Sequence, residues 1–379
     1  LSLFGSKEET EPLLAQYKDR MELFPNFFSD FAGSINARFA TFTGLYPVED
    51  FRAFTAERVP VKSIFEVLHD RGYACSMFYS SYFDYTDFRG LLRNRGLDEM
   101  YDADTMPGKR VDKGVAWGLL EEDTVNAMRR QIKTYAAENR KFFMTYVPAA
   151  PHNPFDGTPE QFRKMKMGKF GDLTPYYINE LLYMDWAITS IIEELKESGQ
   201  LEKTLVIITA DHGEMLGEDG GPVGHGWAIT PELANVPLII MDPGHPGYHV
   251  NDTIGSQVDL LPTILDLLGI PLPAGELYQG ASLYSPNLNT NRIVYLNAFR
   301  QYGEVQGSRF VRGDRESDGK GRGRDVYQIT DEGSHTVFAP EDASATNAPD
   351  ISAFDKFQKN LLRNYSAYCR MFHPAESPR

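Results

Sequence analysis

The chain has 379 residues, 42% of them hydrophobic and 12% aromatic, and a net charge of −15 from 38 basic and 53 acidic side chains. That length can bury one large core, or a large unit beside a small one. The acidic balance argues against a nucleic-acid-binding surface, which needs clustered Lys and Arg. Anionic small substrates remain open, because a metal ion and one or two arginines reverse the local field. Cys75 and Cys369 form neither a CxxC nor a zinc-ribbon spacing, so the chain is not a disulfide scaffold and both read as free thiols. No apolar run reaches the roughly 18–20 residues that span a bilayer. The chain opens on Leu1 rather than Met, so any export signal or anchor is expected upstream.

In chain order, residues 8–23 read as a polar helix. Residues 38–42 read as a short helix that stops near Gly44, and 60–69 as a helix with Pro60 in its first turn and Ile64, Val67 and Leu68 on one face. Gly72 ends it, and a strand follows over 73–79. Helices are expected over 87–94 and 121–139, and a strand over 141–147 that ends at Pro148. Residues 177–198 give the clearest helix: Leu181, Met184, Ile188, Ile191, Ile192 and Leu195 recur at helical spacing, and Gly199 closes it. An apolar strand over 205–208, read as parallel, runs into Asp211-His212-Gly213-Glu214; another apolar strand covers 236–241. A helix over 257–268 ends at Gly269. Helices alternating with short apolar strands predict an α/β fold, a mainly parallel sheet sandwiched by helices. From about residue 290 the pattern changes to antiparallel strands over 293–296 and 305–311. A Gly/Arg/Asp-rich hairpin loop over 312–324 and a terminal helix over 354–369 complete the chain. We divide it into a catalytic unit, 1–285, and a smaller antiparallel α+β part, 286–379.

The most informative residues are Asp211 and His212. A carboxylate and an imidazole at the end of a buried strand suit a divalent cation, and open α/β sheets bind ligands at that edge. The competing reading, a pair that only caps the next helix, is weakened by Gly213 and by His225 downstream between Gly224 and Gly226. Ser34 follows Gly33 at an expected helix start. Backbone N–H groups and the helix dipole there favour an alkoxide and a bound anion, and a metal on the same oxygen would lower its pKa. An ordinary N-cap serine gives the same local pattern. His152 lies between Pro151 and Pro154, in a loop suited to presenting a donor to a substrate oxygen or leaving group; a surface histidine gives the same local pattern. His69, His245, His249, His335 and His373 have no supporting context and read as structural or surface residues.

Together these segments resemble the sulfatase branch of the alkaline-phosphatase superfamily and its relatives, the lipoteichoic acid synthases (phosphoglycerol transferases) and lipid A phosphoethanolamine transferases. The matching pieces come in order. They are Gly33-Ser34 with Thr43-Gly44-Leu45-Tyr46-Pro47, Pro151-His152-Asn153-Pro154, Tyr183-Met184-Asp185, Asp211-His212-Gly213-Glu214 and Gly224-His225-Gly226. Val236-Pro237-Leu238 and Asp259-Leu260-Leu261-Pro262-Thr263 follow. The resemblance covers about 1–285. It implies Ser34 as nucleophile, Asp211 and His212 (with Ser34) as ligands of Zn, Mn, Mg or Ca, and His152 and His225 on the transferred or leaving group. It also implies an arginine of the maturation signature at Arg38. The implied reaction is in-line attack on a sulfate or phosphate ester through a covalent intermediate. An extracytoplasmic, envelope- or membrane-associated parent protein is expected.

Three departures stand out. The family's opening strand and its acidic metal ligand fall just before Leu1. Asn36 stands where the sulfatase signature has Pro or Ala. The 79–89 stretch lacks the His and Trp of the phosphoglycerol transferases, leaving Tyr79 and Arg89 as substitutes. Ester hydrolase, phospho-transferase and a catalytically weak binding module are therefore the readings to separate.

Overall fold

The structure, a computed structural model, describes residues 1–47, 61–85, 88–110, 118–166, 172–217, 221–314, 325–332 and 335–341. Two sheets carry the site. One is fully parallel: β3 (Ala74–Tyr79) lies between β4 (Glu99–Tyr101) and β5 (Phe142–Val147). The other is mixed. β1 (Glu22–Leu23) pairs parallel with β10 (His249–Val250) and antiparallel with β9 (Leu238–Met241), which in turn pairs antiparallel with β6 (Val206–Thr209). The strand that delivers Asp211 is therefore antiparallel to its neighbour, which corrects the parallel reading; an apolar run has no signature of strand direction. A short parallel pair, β2 (Phe27–Phe28) with β11 (Gly255–Ser256), extends the frame.

The helices bury one face each. Helix α1 (Ser34–Thr43) is capped by Gly33 and closed by Gly44 in the left-handed region, φ +64°. Its Phe39, Ala40 and Phe42 pack into one cluster with Phe65, Met77, Val258 and Leu261. Each large apolar side chain so buried contributes about 1.5–3 kcal/mol. Helix α2 (Ile64–His69) starts later than the Pro60 signal suggests, because Ser63 and Glu66 form a capping box. α3 (Phe88–Leu92) and α4 (Glu121–Ala137) follow. Helix α5 (Thr174–Glu197) is the expected long helix, with Ile192 and Leu195 packed against Leu23, Ile132, Ile239 and Met241. Its Asp185 accepts the backbone N–H groups of Leu13 and Leu14 at 2.8 and 2.7 Å. It thereby holds the start of residues Leu14–Arg20, which form a 3-10 helix rather than a full α-helix over 8–23. Two short strands, β7 (Met215–Leu216) and β8 (Val223–Gly224), form a ribbon near the site, followed by helices α6 (Pro231–Ala234) and α7 (Leu260–Leu267). No helix among the described residues is long and apolar enough to cross a membrane.

The C-terminal part is a five-stranded antiparallel sheet in sequence order: β12 (Ile293–Asn297), β13 (Gln301–Gln306), β14 (Arg309–Asp314), β15 (Asp325–Glu332) and β16 (His335–Glu341). Residues 305–311, expected as one strand, are two strands turned at Gly307, whose φ of +54° suits a residue without Cβ. The sheet packs Val294, Leu296, Val305 and Phe310 against Phe28, Ala32 and Ile229. Most of the expected hairpin loop and all of the expected terminal helix, with Cys369, lie outside the described residues. Cys75 is a buried free thiol.

Candidate active site

Ser34 is the first residue of α1, and Gly33, not Ser34, is the cap. The serine side chain is thereby released from capping. Its Oγ lies 2.9 Å from His212 Nε2. His212 Nδ1 is 2.8 Å from the Gly213 carbonyl, which can only accept, so Nδ1 bears the proton and Nε2 presents a lone pair to Ser34. Burial lowers the His212 pKa below its ordinary value, outweighing the Asp211 charge, and favours the neutral ring.

The Asp-His turn is held from both sides. A Cβ on Gly213 would sit 1.8 Å from the Glu232 carbonyl oxygen, so only glycine lets the turn approach α6 this closely. The buried side chains of Ser29 and Gln257 donate to the Asp211 carbonyl at 2.5 and 2.6 Å. The Asp211 carboxylate accepts from Arg38 Nη2 at 3.0 Å. Burial pushes this carboxyl up; the His212 imidazole, the Arg38 guanidinium and the Ser34 hydroxyl pull it further down, leaving it below the usual carboxylate range. Arg38, one helical turn after Ser34, lies over the Tyr79 and Phe88 rings at 5.3 and 4.9 Å.

Two more histidines close the cluster. The His225 ring centre is 4.1 Å from that of His212, and the His152 ring is 5.7 Å from His225. His225 Nδ1 donates to Glu214 Oε2 at 2.8 Å. Burial lowers the His225 pKa, but the hydrogen bond to Glu214 and its charge outweigh that and raise it above the ordinary value. The structure thus brings Ser34, Arg38, His152, Asp211, His212 and His225 to one place. Arg89 is engaged instead by Asp84 and the buried Asp102 at 2.6 and 3.3 Å, and His69 and His245 bind surface carboxylates.

Asp211, His212 Nε2 and Ser34 Oγ are a mixed oxygen–nitrogen donor set suited to a divalent cation, with the His212 tautomer already fixed for it. No group of three His, Cys, Asp or Glu side chains is gathered for a metal among the described residues.

Several residues around the site were missed in the sequence. Glu214, the partner of His225, was legible as the last residue of Asp211-His212-Gly213-Glu214. Ser29, Gln257 and the exposed pair Trp227 and Phe299, whose rings are 5.5 Å apart with Phe299 beside Gly33 and Gly226, had no local signal.

The sulfatase family model matches residues 1–270. The chain belongs to the sulfatase family. It is 23% identical over 302 residues to a lipoteichoic acid synthase-like protein of Bacillus subtilis, YvgJ, covering 73% of this chain and 46% of that one. An extracellular sulfatase, the SULF-1 homologue of Drosophila melanogaster, is 35% identical over 117 residues, covering 31% of this chain and 10% of that one. The crystal structure of the lipoteichoic acid synthase LtaP from Listeria monocytogenes superposes with a TM-score of 0.74 at 16% identity, covering 97% of this chain and 88% of that one. The fold is also similar to that of a protein in the alkaline phosphatase superfamily from Vibrio parahaemolyticus, with a TM-score of 0.69 at 18% identity, covering 98% of this chain and 83% of that one. The chain spans less than half the length of the YvgJ relative, 46%.

Proposed function

We propose that this sulfatase-family chain cleaves sulfate or phosphate esters through a covalent intermediate on Ser34. The observation that supports this reading most directly is the 2.9 Å contact between Ser34 Oγ and the lone pair of His212 Nε2, at the N-terminus of α1. A divalent cation, when bound by Asp211, His212 and Ser34, would supply Lewis-acid stabilisation of the serine oxygen. The chain's own groups do the rest. With the His212 Nε2 lone pair committed to that ion, the Ser34 proton would pass to solvent from the acidified hydroxyl. The serine oxygen attacks sulfur or phosphorus in line, forming a seryl ester as the bond to the leaving oxygen breaks. His225, whose pKa the Glu214 carboxylate raises, would donate to the oxygens of the transferred group in its protonated form. His152 gives a proton to the leaving oxygen. Water or an acceptor hydroxyl then attacks the seryl ester and frees Ser34.

The lipoteichoic acid synthase relatives favour a second reading, in which the acceptor is a lipid or glycan hydroxyl and the chain is a phosphoglycerol- or phosphoethanolamine-type transferase. The extracellular sulfatase relative supports an extracytoplasmic setting, and the negative charge of the chain argues against nucleic acid as a ligand.

The test is mass spectrometry of the Ser34 peptide from metal-loaded, full-length protein, before and after incubation with aryl sulfate and aryl phosphate. An unmodified serine that gains a phosphoryl group supports phospho-chemistry. Loss of two hydrogens beforehand, the mark of formylglycine, supports a sulfatase despite Asn36. A serine that is neither converted nor labelled while product accumulates rejects the covalent route.

A further inference from the structure

The loop that follows β5 brings His152 to the site, and it is pinned by two buried carboxylates from different helices. Glu121, the first residue of α4, accepts the N–H groups of Ala149 and Ala150 on Oε1 at 2.8 and 3.0 Å. Its Oε2 accepts from Ser80 Oγ at 2.6 Å and from the Tyr146 hydroxyl. Glu180, on α5, accepts the N–H of His152 itself on Oε2 at 3.1 Å and a second backbone hydrogen bond from Gly157. Glu121 and Glu180 are 1% and 3% exposed, and neither forms an ion pair with Lys or Arg among the described residues. Together with His152, Asp156 and Tyr183 they line a cavity of about 30 Å³.

Burying carboxyl groups without a cation costs several kcal/mol each unless hydrogen bonds compensate. Packing alone would be served more cheaply by an apolar or amide side chain. Glu121 Oε1 and the Glu180 carboxyl direct their acceptor capacity to the backbone around one histidine. Without them, the N–H groups of Ala149, Ala150, His152 and Gly157 would lose their acceptors in a desolvated setting, and the loop would have to move to recover them.

We propose that Glu180 is a positioning residue for His152, with Glu121 anchoring the preceding two residues, so that the imidazole is held over the leaving-group oxygen. This rests on the reading of His152 as the leaving-group proton donor.

That reading supplies a readout that mere destabilisation does not move. Proton donation matters most for a poor leaving group, so the ratio of kcat/KM for phenyl phosphate to that for 4-nitrophenyl phosphate reports it. The ratio is unaffected by how much of a sample is folded. The same pair of sulfates is measured alongside, all with metal-loaded, full-length protein. His152→Ala should lower the ratio by about a hundredfold, the usual contribution of a general acid. Glu180→Leu, which removes both acceptors, should lower it at least about tenfold, and Glu180→Ala likewise if the leucine variant does not fold. Glu180→Gln, which keeps one carbonyl acceptor, should stay within about threefold of wild type. The double variant His152→Ala/Glu180→Leu should fall no further than His152→Ala alone. If His152→Ala leaves the ratio unchanged, or wild type turns over neither pair, the reading of His152 fails. If His152→Ala lowers the ratio and the Glu180 variants do not, positioning by Glu180 is overturned.

Discussion

Glu180 also makes a prediction that needs no substrate. Burial pushes its carboxyl up to about 8 from an ordinary 4.5, even though His152 and Gly157 donate backbone hydrogen bonds to it. Between those values the native chain holds a proton that the unfolded chain has released. The native state therefore binds more protons, and stability falls as pH rises through the window. Each pH unit is worth about 1.4 kcal/mol, so the contribution is fully present below about pH 4.5 and roughly 5 kcal/mol has been lost by pH 8. Glu180→Gln has nearly the same shape and does not titrate. Urea unfolding of both proteins at about pH 5 and about pH 8 should show the variant gaining about 4 kcal/mol on wild type between the two conditions. The difference between the proteins is the quantity to read, because titrations common to both largely cancel. Parallel profiles, agreeing within about 1 kcal/mol, would refute the argument that burial dominates at Glu180.

Four further outcomes are expected. Ser34→Ala should lower kcat/KM at least about a thousandfold and abolish labelling of the Ser34 peptide, since alanine has no oxygen to attack the ester. Chelation should abolish turnover, and adding back Zn, Mn, Mg or Ca one at a time should show which ion restores it. Arg38→Met leaves the Asp211 carboxylate without its 3.0 Å partner; unfolding free energy should drop by about 2 kcal/mol at neutral pH, read by denaturant melts. Arg292→Met should be more severe, about 3–5 kcal/mol, because Asp259 is fully buried and pairs with that guanidinium beside the N–H groups of Ser256 and Ala281.

Elements with a strong local cause were legible in the residues. The period of Ile188, Ile192 and Leu195 predicts α5 because a helix packed on one face needs that repeat. The run into Asp211-His212 predicts a strand ending in polar ligands, and the left-handed residue at Gly44 marks the end of α1. The ordered motifs also located the six site residues one by one. A capping box at Ser63 and Glu66 was readable from its spacing, but Pro60 drew the helix start too early.

What the sequence by itself determined is therefore the inventory: an α/β chain, its main helices and strands, and six side chains of suitable chemistry. Only the tertiary structure decided what meets what. Ser34 and His212 are 178 positions apart and Arg38 and Asp211 are 173 apart, and no periodicity encodes contacts at that range. It also decided the antiparallel sense of β6 and β9, since direction depends on how the connection returns and not on the apolar content of either strand. The roles of Glu121 and Glu180 were hidden for the same reason. On a helix a glutamate ordinarily reads as a solvated side chain, and only the packing of α4 and α5 against the His152 loop turns these two inward.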